Sequence, residues 1–166
     1  MIIPVTSALI LIDLMPRIID MPVAPHSGDE VLARCLRLAE AFRANGRPVV
    51  LVRVDRPGVA EQPPGSGFAG GLVRPGDVLI VKHTVGAFHG TGLDDRLRGL
   101  GVDTLVLAGL VTTMGVESTA RAASDHGYEL EFVADAMSGF AAEEHRFTVE
   151  RIFPRFGDVH DTAYYL

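Results

Sequence analysis

The sequence predicts an α/β domain of the three-layer kind, a doubly wound parallel sheet with helices on both faces. Three observations lead there. Short apolar β-rich runs alternate with helical stretches along the whole chain. Two of them, SALILI and TLVLAG, have no polar alternation, as in strands covered on both faces. And TLVLAG-LVTTM-GVESTARAA reads as a strand, a tight turn and a helix in direct succession. Such alternation implies right-handed crossovers and places ligands outside the carboxyl ends of the strands.

The elements follow in order. Ser7 to Ile12 is the first strand, ending at Asp13. MIIPVTSALILID has no charged leader and runs into an acidic residue, so it is expected to be strand and not signal peptide. LMPRIIDMPVAPH holds three prolines and reads as a loop. Ser27 and Glu30 form a capping-box pattern ahead of a helix through VLARCLRLAEAFRAN, which stops at Gly46. Val31, Cys35, Leu38 and Phe42 share one face of it, so Cys35 is read as a core residue and not a nucleophile. Arg47 to Val54 is the second strand. Asp55 to Gly76 is too rich in proline and glycine for a helix or central strand, and a loop of that length is usually functional. Asp77 to Val81 is the third strand, ending at Lys82. HTVGAFHGTG is a loop and LDDRLRGL a short helix. Thr104 to Gly109 is the fourth strand, with a helix starting near Gly115. Glu129 to Ala134 is the fifth strand, DAMSG a loop, and AAEEHRFTVERIF a helix stopped by Pro154. RFGDVHD is a short sixth strand or edge.

Composition bounds the function. At 166 residues the chain is expected to form one domain, residues 1–166, with its own core. A formal charge of −6 and the lack of any basic run argue against nucleic acid as a partner. No apolar run is long enough to span a bilayer, so no membrane partner is expected. The single cysteine excludes an internal disulfide framework and fits a reducing, cytoplasmic setting.

Asp13, Lys82 and the turn from Leu110 to Gly115 all stand at strand ends, where a carboxylate and a lysine can meet across one crevice. Asp13 is the candidate general acid, and Lys82 its charge partner. The backbone N–H groups of Val111 and Gly115 are candidates for an anion site at the helix start. Thr112, Thr113 and Glu117 line or cap that start, and Phe88 is read as a pocket wall or an interface contact. His83, His89 and His145 lack the spacing of metal ligands.

These residues resemble the isochorismatase-like hydrolase family over nearly the whole chain. LIDLMP resembles its first-strand motif, with Met15 where Gln is common. KHTVGAFHGTGLD resembles its lysine motif, with Gly86 replacing a frequent Ser. GLVTTMGVESTARAA resembles its third motif, in which most members carry a nucleophilic Cys where this chain has Gly115. The resemblance implies Asp13, Lys82 and Gly115 at the catalytic centre, with Val111, Thr112, Phe88 and Met15 in the substrate site. It also implies a cis peptide at Leu110–Val111 and at least a homodimer. The true isochorismatases resemble this chain in carrying Gly at position 115. They hydrolyse a vinyl ether, with the Asp as proton donor. Asp55 offers no His-x-His neighbour, so the metal of the nicotinamidase branch is not expected, nor any cofactor.

Two functions stay open on the sequence. One is a hydrolase that acts without cysteine on a small carboxylated molecule. The other is a non-catalytic member that binds a small ligand or assembles as an oligomer. The expected strand order is 3-2-1-4-5-6, with Asp13 and Gly115 at neighbouring strand ends.

Overall fold

Ser7–Ile12 forms β1, and all six of its residues are buried. A strand with no exposed face must lie in the middle of a covered sheet. The computed structural model, which describes residues 6–166, places it there. The reading of residues 1–5 lies outside the described residues.

After β1 come α1 (Pro16–Ile19), α2 (Gly28–Ala44), β2 (Val49–Val54), β3 (Val78–Lys82) and α3 (Leu93–Gly99). The second half holds β4 (Thr104–Leu110), α4 (Glu117–Asp125), β5 (Glu129–Ser138), α5 (Ala142–Phe147) and β6 (Gly157–His160). The six strands form one sheet in the order β3-β2-β1-β4-β5-β6, and every pairing is parallel. That is the expected order.

Alternation along β1 builds the two cores. Ala8, Ile10 and Ile12 point to the face covered by α3 and α4, where Leu93, Leu97, Ala120 and Ala123 pack. Leu9 and Leu11 point to the other face, against Val31, Cys35, Leu38 and Phe42 of α2. Each fully buried Leu or Ile contributes about 1.5–3 kcal/mol. The capping box of α2 is formed: Glu30 N donates to Ser27 Oγ (3.2 Å) and Ser27 N to the Glu30 carboxylate (2.8 Å). Cys35 is fully buried, and its thiol lies 3.5 Å from the Ala136 carbonyl oxygen.

Four local expectations need correction. The segment after Asp13 is not all loop: Pro16 opens the single turn α1, since proline suits a first helical position. The fifth strand runs four residues past Ala134, to Ser138, because a register shift between Leu107 and Gly109 re-pairs Met137 and Ser138 with Gly109 and Leu110. The regular part of the third-motif helix starts at Glu117, after a wider π-helical turn over Thr112–Val116. The last long helix keeps α geometry only to Phe147, then continues as a π-helical turn over Thr148–Ile152 and a 3-10 turn over Phe153–Arg155. Pro154 lacks an amide hydrogen and cannot extend it.

Candidate active site

The carboxyl ends of β1, β3 and β4 face one crevice of about 340 Å³, near the lower end for small-molecule sites. Asp13, Lys82, Val111 and Gly115 line it, together with Arg17, Val85, Met114 and Phe140.

Asp13 follows β1 directly. Its amide donates to the Val52 carbonyl (2.9 Å), and its own carbonyl accepts from Met15 N (2.9 Å). The turn holds Asp13 at φ 52°, a left-handed conformation that Asp tolerates because its short polar side chain bonds locally. Lys82 ends β3, which is separated from β1 by β2. Two strand spacings are roughly 10 Å, a span that needs the long stem of lysine. Lys82 Nζ reaches Asp13 Oδ2 at 3.0 Å and also donates to the Val85 carbonyl at 2.6 Å.

Both charges are buried; the Lys82 side chain is 2% exposed and that of Asp13 9%. Asp13 Oδ1 has no hydrogen-bond partner among the described residues. Burial pushes the Asp13 carboxyl above the usual range, outweighing the pull of Lys82 and Arg17 in the other direction. A buried carboxyl of this kind retains its proton at a pH where free Asp has lost it.

Gly115 forms the floor beside the pair. A β-carbon at this position would stand 3.3 Å from Lys82 Nζ, 3.4 Å from Asp13 Oδ2 and 2.8 Å from Ile12 Cγ2. Glycine therefore keeps the ground between the two charges clear, and any side chain here must displace Ile12. Leu110–Val111 is a cis peptide bond, as the resemblance implies. Thr112 is fully buried behind the turn, with Oγ1 2.7 Å from His145 Nδ1.

Three of the residues expected in the substrate site stand elsewhere. Thr112 braces the turn from behind and does not face the crevice. Met15 is fully buried in the α2-side core, where its sulfur lies 3.5 Å from Val54 N. The turn after Asp13 sends that side chain under the sheet end. Phe88 packs into the other core, stacked on His126 (4.9 Å) and tilted against Tyr128 (5.9 Å). Its segment is pinned to α4 by Ala87 N donating to Thr119 Oγ1 (3.1 Å). Gly86 permits that approach, since a β-carbon there would lie 2.8 Å from Ser118 Oγ.

Sequence reasoning missed Arg17, Met114 and Phe140. For Arg17 a signal was available: Pro16 just after the strand-end Asp marks a helical first turn, which sets the next residue over the same strand end.

A larger concavity of about 670 Å³ lies around Arg43, Arg47, Asp77 and Arg96, at the opposite end of β2 and β3. Arg43 and Asp77 neutralise each other there at 2.7 Å, and both oxygens of the Asp77 carboxylate are taken by Arg43 and the Arg74 amide. The chemistry favours the smaller crevice. Among the described residues no three His, Cys, Asp or Glu side chains converge in a metal-binding group, and no helix is long and apolar enough to cross a membrane.

A family model described as "Isochorismatase domain" matches residues 7–164. An uncharacterised isochorismatase family protein of Escherichia coli O157:H7, YecD, is 40% identical over 171 residues, covering 93% of this chain and 91% of that one. A probable isochorismatase of Pseudomonas chlororaphis is 28% identical over 159 residues, 86% of this chain and 77% of that one. Among solved structures, an isochorismatase family protein from Burkholderia thailandensis superposes with a TM-score of 0.88 at 39% identity, covering 95% of this chain and 92% of that one.

Proposed function

Because the chain belongs to the isochorismatase family, we propose that it hydrolyses a small carboxylated vinyl ether without a cysteine nucleophile, with Asp13 as general acid. The observation that carries this reading is the buried Asp13–Lys82 pair: Asp13 Oδ2 lies beside the bare backbone of Gly115, and its Oδ1 has no partner among the described residues. No thiol stands near it. Cys35 is enclosed in the core on the α2 side, and burial pushes its thiol far above the usual range.

The chemistry follows from the charge states. The protonated Asp13 carboxyl delivers its proton to the terminal methylene carbon of the vinyl ether. The π pair becomes the new C–H bond, and the ether carbon becomes an oxocarbenium centre. Water adds to that carbon and returns a proton to the Asp13 carboxylate. The hemiketal then breaks its C–O bond, releasing an alcohol and a 2-oxo acid. Lys82 stabilises the carboxylate between the two proton transfers, and burial shifts Asp13 toward the protonated form that the first transfer needs.

The experiment is a screen of carboxylated vinyl ethers with detection of the released 2-oxo acid. The wild type is expected to turn over at least one, and Asp13→Asn to lose activity by at least about 100-fold, the ordinary contribution of a general acid. The kcat/KM of the wild type is expected to be flat at low pH and to fall as Asp13 ionises, with its inflection above the ~3.9 of a free Asp. Binding without turnover in the wild type, or full activity in Asp13→Asn, removes this mechanism.

A further inference from the structure

The crevice holds a second, half-buried cation that the proton-transfer chemistry does not use. Lys82 is committed: its ammonium is taken by Asp13 and by the Val85 carbonyl. Arg17 is not. It lines the same crevice, and its charge is felt at Asp13, yet no carboxylate pairs with it among the described residues. Its Nε donates to Ser66 Oγ (3.1 Å) and its Nη2 to the Val54 carbonyl (3.4 Å). A guanidinium has five N–H donors. Two of these are used, which leaves both hydrogens of Nη1 and one of Nη2, and one hydrogen from each nitrogen lines the end-on edge. That edge can take a carboxylate with two parallel hydrogen bonds.

The long loop between β2 and β3 sets this geometry. Gly65 carbonyl accepts from Arg17 N (3.1 Å). Ser66 is buried and donates its hydroxyl hydrogen to the Pro63 carbonyl (2.6 Å), so its lone pairs are left to accept from Arg17 Nε. Gly65 sits at φ +77°, and a β-carbon there would come within 3.0 Å of Arg17 N. The loop thus closes on Arg17 through a glycine that few residues could replace.

We propose that Arg17, held by Ser66, is the residue that anchors the carboxylate of the ligand and so selects anionic over neutral molecules. This rests on the reading of the crevice as a site for a small carboxylate. Ser66 is a positioning residue in this scheme, and the Asp55–Gly76 loop is its support.

The test uses benzoate and its neutral counterpart benzamide as probes, titrated into ¹⁵N-labelled protein and followed by amide shifts around the crevice. Wild type is expected to bind benzoate about tenfold or more tightly than benzamide, in line with a charge-assisted pair. Arg17→Gln should bring the ratio near one, with benzamide affinity unchanged. Arg17→Lys keeps the charge without the fork and should retain only part of the preference. Ser66→Ala should weaken benzoate several-fold, broaden or shift the Arg17 Nε signal and leave benzamide alone. Asp13→Asn should preserve the anion preference even though turnover is lost, which separates this inference from the proposed reaction. No anion preference in the wild type at tens of millimolar, or an undiminished preference in folded Arg17→Gln, overturns it.

Discussion

Gly115 is the residue on which the chemistry of the crevice turns. Its missing side chain leaves Lys82 and Asp13 exposed to whatever enters. Replacing it tests that placement directly. In Gly115→Cys, a thiol stands close to the Lys82 ammonium, which favours the thiolate, while the nearby Asp13 opposes it. Asp13 is paired with Lys82 at 3.0 Å, which limits its opposition, so the ammonium is expected to prevail. The introduced thiol should be alkylated at neutral pH faster than a small free thiol in a Cys35→Ala background. The fully buried Cys35 of the native protein should react only on unfolding. A rate at Gly115→Cys no faster than the reference, in a folded variant, would contradict the geometry. The variant carries a cost, because its β-carbon must push Ile12 Cγ2 back from 2.8 Å. Overpacking of this kind destabilises by about 1–3 kcal/mol.

The element that presents Gly115 is the π-helical turn from Thr112 to Val116, and α5 braces it from behind through His145. The Thr112 hydroxyl and His145 Nδ1 share this hydrogen bond within a buried contact. Burial holds the His145 pKa below the usual value, and the charge of nearby His26 acts in the same direction. The sign follows: as pH falls below about 6.5 the unfolded chain takes up this proton before the folded one, so stability is lost with acidification. The melting temperature is expected to drop from pH 7 to pH 5, and His145→Gln should flatten that slope. An unaltered slope in a folded His145→Gln protein would show that His145 is not the group responsible. The cap of α2 is a simpler device on the opposite side. Its two hydrogen bonds join residues three apart, which is why the pattern was readable in advance.

For the whole molecule, the open question is what covers the crevice mouth. Val85, Met114 and Phe140 line it and are each between 44% and 49% exposed. Exposed apolar side chains gathered at one place favour association. A homodimer, which the resemblance implies, is expected to cover Val85 at that rim. Light scattering at micromolar concentration should give a mass of at least twice 17.8 kDa. A monomer would remove that expectation, and Val85→Asp is the variant to compare.

By itself the sequence determined the sheet and which residues stand at its strand ends. Unbroken apolar runs such as Ser7–Ile12 have one outcome, a strand covered on both faces, and alternation with helices leaves few topologies. Asp13 and Lys82 were legible because strand ends in such a sheet converge on one crevice. What only the tertiary structure decided is where the side chains between these landmarks point. Met15 and Phe88 sit within a few residues of Asp13 and Lys82 in sequence, yet both pack into cores. A two-residue turn at φ 52° carries Met15 under the sheet, and a hydrogen bond from the neighbouring Ala87 amide to Thr119, 32 residues on, draws Phe88 onto α4. Arg17 shows the converse. It lay in a stretch that read as loop, and it owes its orientation to Ser66, 49 residues along the chain. Local patterns report backbone period and burial. They carry no information on a side chain whose direction is set by a partner distant in sequence, and Arg17 at this crevice is set by such a pair.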